Sequence, residues 1–161
     1  MSVEPIYPYS TWEVTEPKFE VKNNYRTESI FALANGYLGM RGNFEEGYSG
    51  PPRTGLEGTY INGFYESETL KYPETAYGYA EKSQTMLNVT NGKIIKLYLG
   101  DEAFDMLQGE ILQYQRTLKL KEGVLERTLV WTNPVLPEGV STFIAFEVSV
   151  AAALTAMPLG M

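Results

Sequence analysis

Asn35-Gly36-Tyr37-Leu38-Gly39-Met40-Arg41-Gly42-Asn43-Phe44 packs three glycines, two aromatics, two asparagines and one arginine into ten residues. The run before it, Tyr25 to Ala34, carries Ile30, Phe31, Leu33 and Ala34 at helical spacing. Thr27 suits a helix start, and Glu28 in the first turn is favoured by the helix dipole. Gly36 suits the left-handed conformation that closes a helix. The pattern predicts one short helix near 27–34, stabilised by packing because only about two turns fit. Tyr37 to Phe44 then reads as a strand, with Gly39 and Gly42 marking a bulge or a close backbone approach. A phosphate cradle needs strand, loop and helix in that order. The order here is helix, glycine stop, strand, so the stretch reads as a structural corner first. Arg41 sits beside the glycine gaps. It is either half of a structural ion pair or the holder of a loop that borders a ligand site.

Downstream lies a polar loop, Glu45-Glu46-Gly47 and then Ser49 to Gly55. Two adjacent carboxylates invite a catalytic reading. On an extended chain, however, neighbours point to opposite faces and do not flank one bond. Gly58 to Glu66 is strand-like, through Tyr60, Ile61, Phe64 and Tyr65, with Asn62-Gly63 as a turn or a bulge. Residues 67–83 form a polar loop with Tyr72, Tyr77 and Tyr79, long enough to act as a lid or a docking surface. Met86 to Val89 and Ile94 to Leu99 flank Asn91-Gly92, which predicts a hairpin with a two-residue turn. Leu99 to Asp105 suggests a second tight turn. Ile111 to Leu120 and Val124 to Thr132 read as paired strands around Lys121-Glu122-Gly123. In the second of these, Leu125, Arg127, Leu129 and Trp131 share one face. Asn133-Pro134 ends that strand, and Val140 to Val150 reads as another.

Upstream, Pro5, Pro8 and Pro17 exclude a helix and favour an extended arm. Trp12-Glu13-Val14 reads as a short edge strand and Phe19-Glu20-Val21 as another. Tyr7, Tyr9 and Trp12 either lay this arm onto the domain or stack on a sugar.

Composition narrows the chemistry. The chain has 161 residues, a net charge of -7 and 43% hydrophobic residues, enough for one domain with a core. An acidic surface argues against nucleic acid or an anionic membrane as partner. No apolar run approaches the roughly 20 residues of a membrane helix. Met1 to Pro5 lacks the pattern of a signal peptide. Asn88-Val89-Thr90 fits the glycosylation sequon, which without such a signal reads as chance. A cytoplasmic protein is expected. The chain contains neither cysteine nor histidine. Disulfides, thiolate metal sites, the Ser/His/Asp triad and nearly all zinc chemistry are therefore excluded. Acid–base work would fall to Asp, Glu, Tyr or Lys.

Short strands spaced by turn signals predict a mainly β fold, an antiparallel β-sandwich. Three ordered blocks then carry a family resemblance: Glu28 to Gly47, Gly58 to Glu66, and Tyr114 to Leu118 with Lys121 to Leu125 and Arg127 to Trp131. Together they resemble the N-terminal domain of glycoside hydrolase family 65, the maltose, trehalose and kojibiose phosphorylases. The resemblance spans roughly residues 4 to 133. It implies a sandwich of the super-sandwich type, here incomplete, in front of an α/α barrel. In that family a barrel glutamate protonates the glycosidic oxygen while inorganic phosphate attacks the anomeric carbon with inversion, and no cofactor or metal takes part.

The expected organisation is a sandwich domain over 1–150 and a non-family apolar tail over 151–161, the product of truncation or frameshift. The expected function is that of a non-catalytic N-terminal domain in carbohydrate metabolism. It would support the barrel and the sugar cleft and be inactive alone, because the catalytic glutamate belongs to the barrel. Asn35, Tyr37 and Arg41 are the residues expected to border the cleft, along with the 67–83 loop. An α-linked disaccharide is the expected partner, with inorganic phosphate as co-substrate of the full-length enzyme and a homodimer as a further expectation. The alternatives are a stand-alone carbohydrate-binding sandwich with tyrosine platforms and a non-functional fragment with unpaired sheet edges.

Overall fold

The computed structural model describes residues 5–99, 101–132 and 143–151. The strand end read at Asn133-Pro134 and the apolar tail from residue 152 onward lie outside the described residues. The elements run β1 (Glu13–Glu16), α1 (Val21–Ile30), β2 (Leu33–Ala34), β3 (Leu38–Met40), β4 (Thr59–Thr69) and β5 (Lys82–Asn88). There follow β6 (Tyr98–Leu99), β7 (Glu102–Ala103), a short 3-10 turn (Met106–Gln108), β8 (Glu110–Lys119), β9 (Val124–Thr132) and β10 (Phe143–Ala151). One antiparallel sheet has the order β1-β8-β9-β10 and a second has β2-β3-β4-β5, while β6 and β7 pair separately. The fold is the expected mainly β, sandwich-like arrangement with one short helix, and it is open.

Two apolar clusters join the long sheet to what covers it. Phe31 and Leu33 pack with Leu118 and Leu125. Phe44, Phe104 and Met106 pack with Leu129 and Trp131. The alternation read in β9 is the one that folds inward: Leu125, Arg127, Leu129 and Trp131 are all buried. The second sheet is far less covered. Phe64, Tyr65 and Met86 stay exposed along the β4–β5 ribbon.

The helix starts six residues earlier than the apolar pattern predicts and ends four earlier. Its buried face is polar, made of Asn24, Thr27 and Glu28 at helical spacing. Thr27 is therefore interior to the helix and donates its hydroxyl to the Asn23 carbonyl at 2.9 Å. The start is held at Glu20, whose carboxylate accepts from the Asn23 amide side chain at 2.9 Å. Phe19-Glu20-Val21 is consequently a helix entry rather than a strand. Phe31 and Leu33 leave the helix to enter the core.

Gly36 has a φ of 84°, as its sequence context suggests, but it turns the β2–β3 hairpin instead of closing the helix. The expected strand over 37–44 is only β3, because Gly42 passes close under Phe31. The Gly42 amide donates to the Glu28 carbonyl at 2.7 Å. Asn62-Gly63 is a bulge: the β4–β5 register shifts between Tyr60 and Tyr65, and Gly63 has a φ of 85°. The loop read over 67–83 narrows to 70–81, because β4 and β5 extend into it.

The hairpin expected around Asn91-Gly92 does not form. β5 pairs with β4, and β6 pairs with β7. Gly92 is not among the glycines with positive φ. The Asn91 side chain instead accepts from the Lys93 amide at 3.1 Å.

Candidate functional site

The residues around the corner form a network of buried charge. Arg116 on β8 and Arg127 on β9 are directly paired across the sheet. Their cross-strand position puts both on the inward face. Arg116 Nε and Nη2 lie 3.0 and 2.9 Å from Glu16 Oε2 on β1. Tyr114 donates its hydroxyl to the same oxygen at 2.8 Å. Arg116 also donates to the Gly42 carbonyl. Arg127 forms a two-pronged pair with Glu46, with one bond of 2.9 Å, and makes a further ionic contact of 3.0 Å with Glu45.

The two carboxylates read as pointing apart converge because residues 44–47 form a turn, with the Gly47 amide on the Phe44 carbonyl at 3.2 Å. Phe44 sits among the charges: its ring centroid lies 5.0 Å from the Arg116 guanidinium carbon and 4.7 Å from that of Arg127.

The network tunes its own members. Burial pushes the Tyr114 phenol up, with Arg116 opposing and the Glu16 charge and hydrogen bond adding to the rise. Burial alone would lower Arg127, but the Glu46 hydrogen bonds and the Glu46 and Glu45 charges outweigh it and raise its affinity for the proton. Lys93 is the exception. Burial lowers it to about 8, aided by Arg116 and Arg127 and opposed chiefly by Glu45. Its ammonium donates to the Arg41 carbonyl at 2.9 Å and to that of Asn43. Glu16, Glu45 and Glu46 are thus each committed to an arginine. None is placed as a free acid or base.

Of the three residues expected at a cleft, two are taken up by the scaffold. The Asn35 side chain accepts from the amides of Tyr37 at 3.0 Å and Leu38 at 2.8 Å, which fixes the hairpin. Arg41 donates to the carbonyls of Leu56 at 2.8 Å and Tyr25 at 3.1 Å. It also lies 3.5 Å from the buried Glu28 carboxylate. Tyr37 is different: it is 62% exposed and borders an open hollow of about 430 Å³ with Leu38, Tyr60, Asn62 and Met86. The structure therefore does not bring the three side chains to one point.

The residues that organise the core charge, Glu16, Arg116 and Arg127, escape a site search by sequence spacing. Glu16 and Arg116 stand 100 residues apart. Their one sequence signal is an arginine on the apolar face of β9. Among the described residues no group of three or more His, Cys, Asp or Glu side chains is placed to hold a metal ion. No helix among them is long and apolar enough to cross a membrane.

Residues 14–154 match the profile described as glycosyl hydrolase family 65, N-terminal domain, a stretch that includes β10. An α,α-trehalose phosphorylase of Thermoanaerobacter brockii is 56% identical over 131 residues, which cover 81% of this chain and 17% of that protein. An uncharacterized glycosyl hydrolase of Mycobacterium tuberculosis is 45% identical over 134 residues, covering 83% of this chain and 16% of its own. Among solved structures, a protein from the human microbiome proposed to be a kojibiose phosphorylase superposes with a TM-score of 0.68 at 31% identity. That superposition covers 88% of this chain and 18% of the other. The chain spans only about a sixth of the relatives it matches, 17% and 16% in the two curated cases. The profile match over residues 14–154, with sequence identity and a shared backbone over most of the chain, places this chain in glycosyl hydrolase family 65, in the N-terminal domain of that family.

Proposed function

We propose that this chain is the non-catalytic N-terminal domain of a disaccharide phosphorylase, supporting a catalytic barrel and shaping its sugar cleft. The substrate is an α-linked glucose disaccharide and the acceptor is inorganic phosphate. The site of action is the cytoplasm, in keeping with a cysteine-free chain. The observation that carries the reading is the commitment of the core carboxylates: Glu16, Glu45 and Glu46 are all ion-paired to buried arginines. A group so held supplies rigidity rather than proton transfer. The 56% identity to a trehalose phosphorylase supports trehalose as the first substrate to try.

The test incubates the chain with trehalose, maltose or kojibiose plus phosphate and measures glucose 1-phosphate. The chain alone releases none. Exchanged for the matching part of the Thermoanaerobacter brockii relative, it restores turnover. Release by the chain alone, or a folded but inactive chimera, would overturn the reading.

A second reading, a carbohydrate-binding module, is favoured by the hollow beside Tyr37. Tyr37 and Tyr60 line it, aromatic residues of the kind that stack on sugars. Calorimetric titration with the same disaccharides decides it: heat of binding lost on Tyr37→Ala supports the module, and no heat with the wild-type chain ends it.

A further inference from the structure

Three asparagines in the chain precede a glycine: Asn35-Gly36, Asn62-Gly63 and Asn91-Gly92. This dipeptide carries a reaction of its own. A backbone nitrogen attacks the side-chain carbonyl of the asparagine before it most readily when it belongs to glycine, because no Cβ crowds the approach. On sequence the three sites are equal. Space does not separate them either: a Cβ built on Gly36, Gly63 or Gly92 meets nothing within 4 Å. What separates them is how each side chain is held.

Asn35 is half-buried, and its oxygen is held by two backbone amides at 3.0 and 2.8 Å. Asn91 is half-buried too. Its oxygen accepts from the Lys93 amide at 3.1 Å, and its side-chain nitrogen, the group that must leave, is shut off from solvent. Asn62 is exposed. Its side chain makes two contacts of 3.2 Å: its nitrogen donates to the Gly36 carbonyl, and its oxygen accepts from the Tyr65 hydroxyl. Both lie at or beyond the long end of the usual range, and neither involves a backbone amide. The Asn62 amide is bonded to the Tyr37 carbonyl at 2.8 Å, but the attacking nitrogen is that of Gly63. Gly63 lies in the bulge, where the β4–β5 register passes from Tyr60–Asn88 straight to Tyr65–Met86 and the ladder is disrupted.

We propose that Asn62 is the site of spontaneous deamidation in this domain. The Gly63 nitrogen, its proton taken by solvent hydroxide, bonds to Asn62 Cγ. The Cγ–Nδ2 bond breaks, and ammonia leaves with a proton from water. Water then opens the resulting succinimide at either carbonyl, giving aspartate or isoaspartate. In all, one water is consumed and one ammonia released, with no oxidant or reductant. The product places a carboxylate on the rim of the hollow lined by Tyr37, Tyr60 and Met86. It also removes the donor to the Gly36 carbonyl, so with aspartate there two acceptors face each other where the β2–β3 turn meets β4. The reaction needs neither barrel nor sugar and is independent of both functional readings.

The test incubates the folded chain in heavy-oxygen water at mildly alkaline pH, beside a parallel sample in denaturing urea. Circular dichroism establishes that the first sample is folded. After proteolysis, mass spectrometry reads label uptake in the peptide that carries each Asn-Gly pair. In urea the three sites react at similar rates. In the folded chain Asn62 takes up label first. Asn35 and Asn91 lag it by about tenfold or more, because a side chain held by backbone or shut away from solvent must first be freed. Asn62→Gln suppresses uptake at its own peptide and, at an exposed position, leaves the melting temperature near that of the wild type. Equal rates at the three sites in the folded chain overturn the proposal. So does Asn35 or Asn91 reacting ahead of Asn62, or an Asn62 that takes up label only in urea.

Discussion

Arg116 and Arg127 oppose each other across the β8–β9 ladder, two cations in a position where like charges repel. The pairing survives because each has its own anion, Glu16 for Arg116 and Glu46 with Glu45 for Arg127. Phe44 contributes its ring to both. The corner around Asn35 to Phe44 thus supplies the ring and the neighbouring acids that let two arginines lie in one core.

Arg127→Met removes the cation and leaves two buried carboxylates. Loss of one partner of a buried pair costs about 3–5 kcal/mol. Urea unfolding is expected to show that loss, with Arg127→Lys recovering only part of it because an ammonium lacks the two-pronged geometry.

Lys93 sets a pH signature. Its affinity for the proton is lowered to about 8 in the folded chain against the ordinary 10.5. Between those values the unfolded chain binds more protons, so this group's contribution to stability rises as pH rises. Melting curves from pH 7 to 10 are expected to show the wild type gaining on Lys93→Met across that window. A difference that shrinks with rising pH would contradict the assignment.

Two glycines separate space from backbone strain. A Cβ on Gly42 would stand 2.7 Å from the Phe31 carbonyl oxygen and 2.9 Å from the Phe31 Cβ. A Cβ on Gly63 meets nothing within 4 Å but takes a φ of 85°. Gly42→Ala is expected to cost about 2–3 kcal/mol through overpacking against backbone, and Gly63→Ala about 1 kcal/mol through φ alone. Chemical denaturation of the pair gives the order.

At the hairpin, Asn35→Ala removes the acceptor of two amides. A loss of about 1–2 kcal/mol is expected. Tyr37→Ala, two residues on and largely exposed, is expected to change stability by less than about 0.5 kcal/mol. A large loss at Tyr37 would mean that the hollow is part of the folded core.

The alternation of β8 and β9 was legible because apolar side chains carry it, and their pairing followed from the turn at Lys121-Glu122-Gly123. The helix was displaced for the converse reason. Asn24, Thr27 and Glu28 have the right spacing, but their burial depends on partners such as the Thr54 carbonyl and the Leu56 amide. No local pattern reports those. Asn91-Gly92 has the residues of a tight hairpin turn, yet β5 pairs with β4 because tertiary contacts outweigh turn preference. Glu45 and Glu46 were read as an extended pair, and the turn that swings both onto Arg127 is set by contacts some 81 residues away. Asn35 and Arg41 were singled out for a cleft, and the hydrogen bonds that tie both to neighbouring backbone are a feature residue type alone does not report.

The pairing of β1 with β8 also sets a timetable for synthesis. Thr15 aligns with Thr117, and Glu16 finds Arg116 only 100 residues later. At about 5–20 residues per second on the ribosome, the first strand waits on the order of 5–20 seconds for its neighbour. Throughout that interval its acid is solvated and its edge is open. The nascent chain is therefore most vulnerable to mispairing before β8 emerges, and slowing translation ahead of Glu110 lengthens that exposure.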